Sequence, residues 1–97
     1  MEIKKAFGQA FRLVRKFKGL TLLGFSTVSG RNYIGAIERG VKSPTIEKMN
    51  ELGEFLDIHP ITISYLAYLN ANENESFDSI SKRVKSELIK IQNFKHH

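Results

Sequence analysis

Arg31, Asn32 and Arg39, with Gly35 and Ala36 between them, fall within one nine-residue stretch. The planar arginine fork donates two parallel hydrogen bonds to a guanine edge, and the asparagine carboxamide pairs in the same way with adenine. This set therefore has the chemistry for reading base edges in a duplex groove. Lys42 and Ser43 follow at once. A cation and a hydroxyl there suit phosphate oxygens, contacts that fix register without carrying sequence information. If Ile34 and Ile37 point inward, Asn32, Gly35, Ala36 and Arg39 form the outward side, with Arg31 at its N-terminal edge. A glycine on an exposed helical face costs about 1 kcal/mol relative to alanine. Close approach of the backbone to a groove wall accounts for it, and so does an unconstrained surface position.

Two further charges sit on apolar faces. Arg15 lies four residues after Phe11 and eight after Phe7, along the same stripe. Glu38 shares a face with Ile34, Ile37 and Val41. A desolvated lone ion costs several kcal/mol. Either the two meet as a bidentate guanidinium–carboxylate pair joining their helices, or each reaches past the apolar surface to water.

Catalytic and metal chemistry find little support. The chain has no cysteine, which excludes disulfides and thiolate ligands. His59 precedes Pro60 in a break, and His96 and His97 end the chain; none joins acidic residues at metal-ligand spacing. Glu47, Glu51 and Glu54 read as one solvated helix face, and Gly8, Gly19, Gly24, Gly30, Gly35 and Gly40 are too scattered for a phosphate loop. The expectation is a non-enzyme without metal or cofactor.

The elements that position these residues are helical. Ninety-seven residues suit one core with an appended helix. Phe7, Ala10, Phe11 and Val14 repeat at helical spacing, predicting a first helix over about 4–18 that ends at Gly19. Thr21 caps a short second helix, roughly 22–27. A third runs from Gly30 to Arg39 and closes at Gly40. Ser43-Pro44-Thr45 opens a fourth, with Ile46, Met49, Leu52, Gly53 and Leu56 as its inner side. Ile61 to Leu69 is the fifth.

Asn70 to Ser76 is a polar linker, and Phe77, Ile80, Val84, Leu88 and Ile91 mark a sixth, amphipathic helix. That stripe is too long to be covered by a five-helix core. It serves either a second copy of the chain or packing back on the first and fifth helices, and Tyr65 and Tyr68 could join either contact. No strand-like alternation and no membrane-length apolar run occurs, so an all-α protein in the cytoplasm, on the nucleoid, is expected.

Charge is divided along the chain. Residues 1–42 hold nine Lys or Arg against Glu2 and Glu38; residues 43–81 hold Lys48 against seven acidic residues; residues 82–97 hold five cations against Glu87. A basic segment beside an acidic one suits a polyanion on one face only, although a merely solvated surface has the same composition.

The runs Phe7-Gly8-Gln9-Ala10, Arg15-Lys16, Gly19-Leu20-Thr21, Tyr33 through Gly40 and Ser43-Pro44-Thr45-Ile46-Glu47 resemble the helix-turn-helix domain of Cro/CI-type (XRE-family) repressors, over about residues 5–69. Ile-Glu-Arg-Gly followed by Ser-Pro-Thr is the specific part. The resemblance implies a five-helix, lambda-repressor-like domain over 1–69, then the linker 70–76 and the C-terminal amphipathic helix 77–97. It implies that the third helix enters the major groove and that Arg15 and Glu38 form a structural ion pair. Carried over by position, base reading falls on Arg31, Asn32 and Gly35, with Gly30 and Ala36 beside them. Tyr33 touches backbone or a thymine methyl, or packs on the second helix. The phosphate-binding loop falls on Arg39, Lys42 and Ser43.

Departures from the family pattern lie at Leu22, Leu23 and Gly24, where a phosphate-contacting glutamine and acidic residues usually stand. The Thr21–Arg31 segment is also about two residues short, a trait shared by relatives with the Phe25-Ser26 and Val28-Ser29 pattern. The double leucine either fills the gap left by the shorter turn or forms an adhesive surface. The implied function is a homodimeric regulator on a duplex DNA operator, acting as a repressor by occlusion, with no second domain to receive a signal. The rival reading is a protein-interaction module that uses Leu22, Leu23 and the C-terminal helix.

Overall fold

The computed structural model describes residues 1–25 and 30–95. Five α-helices and no strands occur among them: α1 (Ile3–Phe17), α2 (Arg31–Glu38), α3 (Ile46–Leu56), α4 (Pro60–Ala71) and α5 (Phe77–Lys95). The class is all-α, as the periodicity requires. In place of a second α-helix the described chain has one 3-10 turn, Leu22–Phe25. Residues 26 and 27 of the expected helix, and the Ser26, Val28 and Ser29 positions of the short-turn pattern, lie outside the described residues.

Local chemistry sets the boundaries. The Gly24 N–H donates to the Thr21 hydroxyl at 3.3 Å, so Thr21 caps the turn. Thr45 caps α3 by accepting from the Lys48 N–H at 3.1 Å. Pro44 therefore stands before that helix instead of inside its first turn. Pro60 takes the favoured first-turn place in α4. The His59 ring caps α4 through Nδ1, which accepts from the Ile61 N–H at 3.0 Å. Gly19 (φ +73°) and Gly40 (φ +76°) reverse the chain after α1 and α2 in the left-handed region, which costs glycine least.

The core lies where α1 packs on α4 and α2. Ala10, Phe11 and Val14 of α1 meet Phe25, Ile34, Ile37, Leu52, Leu56, Ile63 and Ala67. Phe25 links the layers, its ring centroid 5.7 Å from Phe11 and 5.1 Å from Phe55. Burial of side chains this size supplies about 1.5–3 kcal/mol each, making this cluster the main source of stability.

Two expected inward positions are open instead. α2 stops at Glu38, and the Gly40 turn throws Val41 outward to 61% exposure. Ile46, the first residue of α3, sits on the solvent side of that turn and is 84% exposed. α4 continues two residues past Leu69, so the connection to α5 is 72–76 and not 70–76.

α5 has no buried residue. Its attachment is at its start, where the Tyr65 hydroxyl donates to the Phe77 carbonyl at 2.8 Å and also bonds the Ser81 hydroxyl. The Tyr65 and Phe77 rings lie 5.3 Å apart. No described helix is long and apolar enough to cross a membrane.

Candidate nucleic-acid interface

Two contacts fix α2 against α1. Gly8 puts bare backbone against the end of α2: a β-carbon there would lie 2.4 Å from the Ile37 carbonyl oxygen and 2.7 Å from that of Glu38. Among glycines too scattered for a phosphate loop, Gly8 has a packing role. It gives α1 and α2 a close backbone approach, and only its place in the resembling run points to that.

The second contact is ionic. Of the two alternatives for Arg15 and Glu38, the side chains meet. Arg15 Nε donates to Glu38 Oε2 at 2.6 Å and Nη2 to Oε1 at 2.9 Å, while Nη1 donates to the Leu20 carbonyl at 2.8 Å. Both side chains are nine-tenths buried. Every guanidinium nitrogen thus has an acceptor, the condition under which a buried pair does not become a liability. The Glu38 hydrogen bonds raise the arginine pKa above its ordinary value; burial opposes them and the charge attraction adds to them. The pair joins α1, α2 and the turn that leads to Leu22.

With that side anchored, Ile34 and Ile37 are fully buried, and Gly30, Arg31, Asn32 and Arg39 are exposed. Gly35 and Ala36 are not on the open face, which corrects the expected outward row. The Arg39 guanidinium folds back over Gly35, whose β-carbon would lie 3.1 Å from Nη1. The chain after α2 closes over Ala36: its carbonyl accepts the Val41 and Lys42 N–H groups at 2.9 and 3.3 Å, leaving the residue 7% exposed. The accessible polar edge of α2 is therefore narrower, centred on Arg31 and Asn32.

Tyr33 is half-buried against the core and gathers two cations from different elements. Lys42 Nζ, in the loop, lies 5.7 Å from its ring centroid, and Lys48 Nζ, on α3, lies 5.8 Å. Both are within cation–π range. Lys48 also bonds Glu51 at 3.2 Å. Lys48 stands out in the sequence only as a lone cation in an acidic stretch, one turn past the Ser43 loop. Ser43 is exposed beside Lys42. Leu22 packs on the core while Leu23 is exposed.

A short helix held by its apolar and acidic edge against α1, with a polar edge and adjacent cations open, is consistent with a small all-α helix-turn-helix domain. The chain is 31% identical over 65 residues to an uncharacterized HTH-type transcriptional regulator, y4dJ, of Sinorhizobium fredii, a match spanning 65% of this chain and 84% of that protein. The chain belongs to the helix-turn-helix-type transcriptional regulators. No family model and no solved structure matches it.

Proposed function

We propose that the chain is a sequence-specific duplex-DNA binder of the Cro/CI (XRE) type, which inserts α2 into the major groove and represses by occluding its operator. The observation that carries this reading is the two-sided character of α2. Ile34, Ile37 and Glu38 are held against α1, while Arg31 and Asn32, the side chains suited to purine edges, stand clear. Arg39, Lys42 and Ser43 contact phosphates and fix the register, and Lys48 joins them through its place beside Tyr33. Gly30 and Tyr33 lie alongside the base-reading edge. Residues 1–71 form the DNA-binding unit and α5 is the dimerisation element, through Phe77, Ile80, Val84, Leu88 and Ile91. A homodimer on a two-fold operator has half-sites about 34–36 Å apart when both recognition helices use one face of the duplex.

Selection of bound fragments from random duplex DNA tests the reading. The expected outcome is an enriched, two-fold symmetric sequence whose binding weakens steeply with salt as Lys and Arg displace counterions. Recovery of random fragments only would overturn it.

A second reading, a protein-interaction module on the same fold, is favoured by the exposure of Leu23 and of the α5 stripe. Its partner contact would be nearly indifferent to salt, since burial of apolar surface is not screened.

A further inference from the structure

We propose that α5 pairs antiparallel with α5 of a second copy about a two-fold axis through Val84. The inference rests on the homodimer reading above and specifies its geometry.

The stripe Phe77, Ile80, Val84, Leu88, Ile91 advances by three, four, four and three residues. That series is the same read from either end, with Val84 at its centre. Antiparallel pairing centred there sets Val84 against the partner's Val84, Ile80 against the partner's Leu88 and Phe77 against the partner's Ile91. An isologous contact requires this self-complementarity, because each residue must find as its mate what it offers. The overlap from Phe77 to Ile91 is about 21 Å of helix.

Three structural observations agree. None of α5 is buried within its own chain, and Phe77, Val84, Leu88 and Ile91 are all at least 44% exposed. Tyr65 holds only the first turns, at Phe77 and Ser81, so the later turns lie beyond that anchor. A groove of about 430 Å³ runs between the end of α4 and α5, floored by Tyr68, Ile80 and Val84. In this register the partner's Leu88 falls at the level of Ile80, inside that groove.

Charge selects the direction. Glu73, Glu75 and Asp78 lie at or before the start of α5, and Lys90 and Lys95 lie towards its end. An antiparallel pair brings each acidic end beside the partner's basic end; a parallel pair stacks like on like. Near the axis Arg83 and Glu87 pair within one helix, Nε to Oε2 at 3.1 Å, while Lys82 and Lys85 set like charges together in either direction, so the helix ends make the difference.

The chain lacks cysteine, so introduced thiols report without background. Under mild oxidation Val84→Cys should cross-link to itself. Phe77→Cys and Ile91→Cys should each remain uncross-linked alone and form a disulfide heterodimer when mixed. Self-cross-linking of both of those variants, or a stable dimer in which no pair reacts, would overturn the antiparallel register and leave the homodimer standing. A chain that sediments as a monomer up to millimolar concentration removes the homodimer reading and this geometry together. Leu88→Asp should dissociate the dimer yet leave the melting of the α1–α4 body in place, since Leu88 is not part of its core.

Discussion

The backbone of α1 at Gly8 meets the Ile37 carbonyl so closely that a β-carbon would stand 2.4 Å from its oxygen. This contact sets how near α2 comes to α1, and thereby brings Glu38 within reach of Arg15. The proposed DNA-reading edge faces solvent because the opposite edge is used up in these two contacts.

Gly8→Ala is therefore expected to destabilise the fold by about 1–3 kcal/mol, the usual result of overpacking against atoms that cannot yield. Backbone carbonyls on α2 have nowhere to move without loosening the Ile34 and Ile37 packing. Chemical denaturation measures the loss, and a midpoint equal to the parent's would show that the helices can separate freely.

Arg15→Ala leaves Glu38 buried with its carboxylate unpaired and is expected to cost about 3–5 kcal/mol. Arg15→Lys should recover only a minor part, since an ammonium cannot supply the two-pronged contact and the Leu20 bond together. The folded-state arginine pKa is raised. Its share of stability is thus complete below the ordinary arginine range and fades only as pH climbs above it. The deficit of Arg15→Ala relative to the parent should therefore be constant from about pH 6 to 9 as far as arginine titration governs it. Melting curves across that interval check both points, and an unaltered melting temperature would contradict the buried pair.

Gly35→Ala should behave oppositely to Gly8→Ala. The atom its β-carbon would meet is the far end of the exposed Arg39 side chain, which can swing aside. Removal of a helix-interior glycine is expected to add up to about 1 kcal/mol of stability. A fall in melting temperature would mean that the Arg39 cover over Gly35 is itself structural.

On the selected operator, Arg31→Ala and Asn32→Ala should each lower preference over random DNA by about 1–3 kcal/mol. Lys42→Ala and Lys48→Ala should weaken binding to all sequences alike and reduce the salt slope. Titrations on operator and random duplexes at two salt concentrations separate the groups. Equal losses on both duplexes for all four variants would count against base reading by α2.

The order of helices, their approximate ends, the glycine stops and the threonine starts were legible in one dimension. They depend on local terms: the 3.6-residue repeat, capping hydroxyls and the freedom of glycine at positive φ. The inward lean of Arg15 and Glu38 was legible for the same reason, as an angle about a helix axis. Their meeting was not, because it needs a second axis at a known distance. The short-turn segment shows the same limit from another side: Thr21 announced a cap, but a single 3-10 turn with Phe25 driven fully into the core depends on the rings of Phe11 and Phe55 around it.

Sequence alone thus determined an all-helical chain of the helix-turn-helix kind, with two charges on apolar faces and a palindromic stripe in its last helix. Tertiary structure decided which positions remain accessible. Gly35 and Ala36 share the outward sector of the α2 wheel with Asn32, yet the returning chain and Arg39 cover them. Lys48 belongs to an acidic stretch, yet lands beside Tyr33 and Lys42. The physical reason is that periodicity assigns each side chain a direction, whereas exposure depends on what other segments place in that direction.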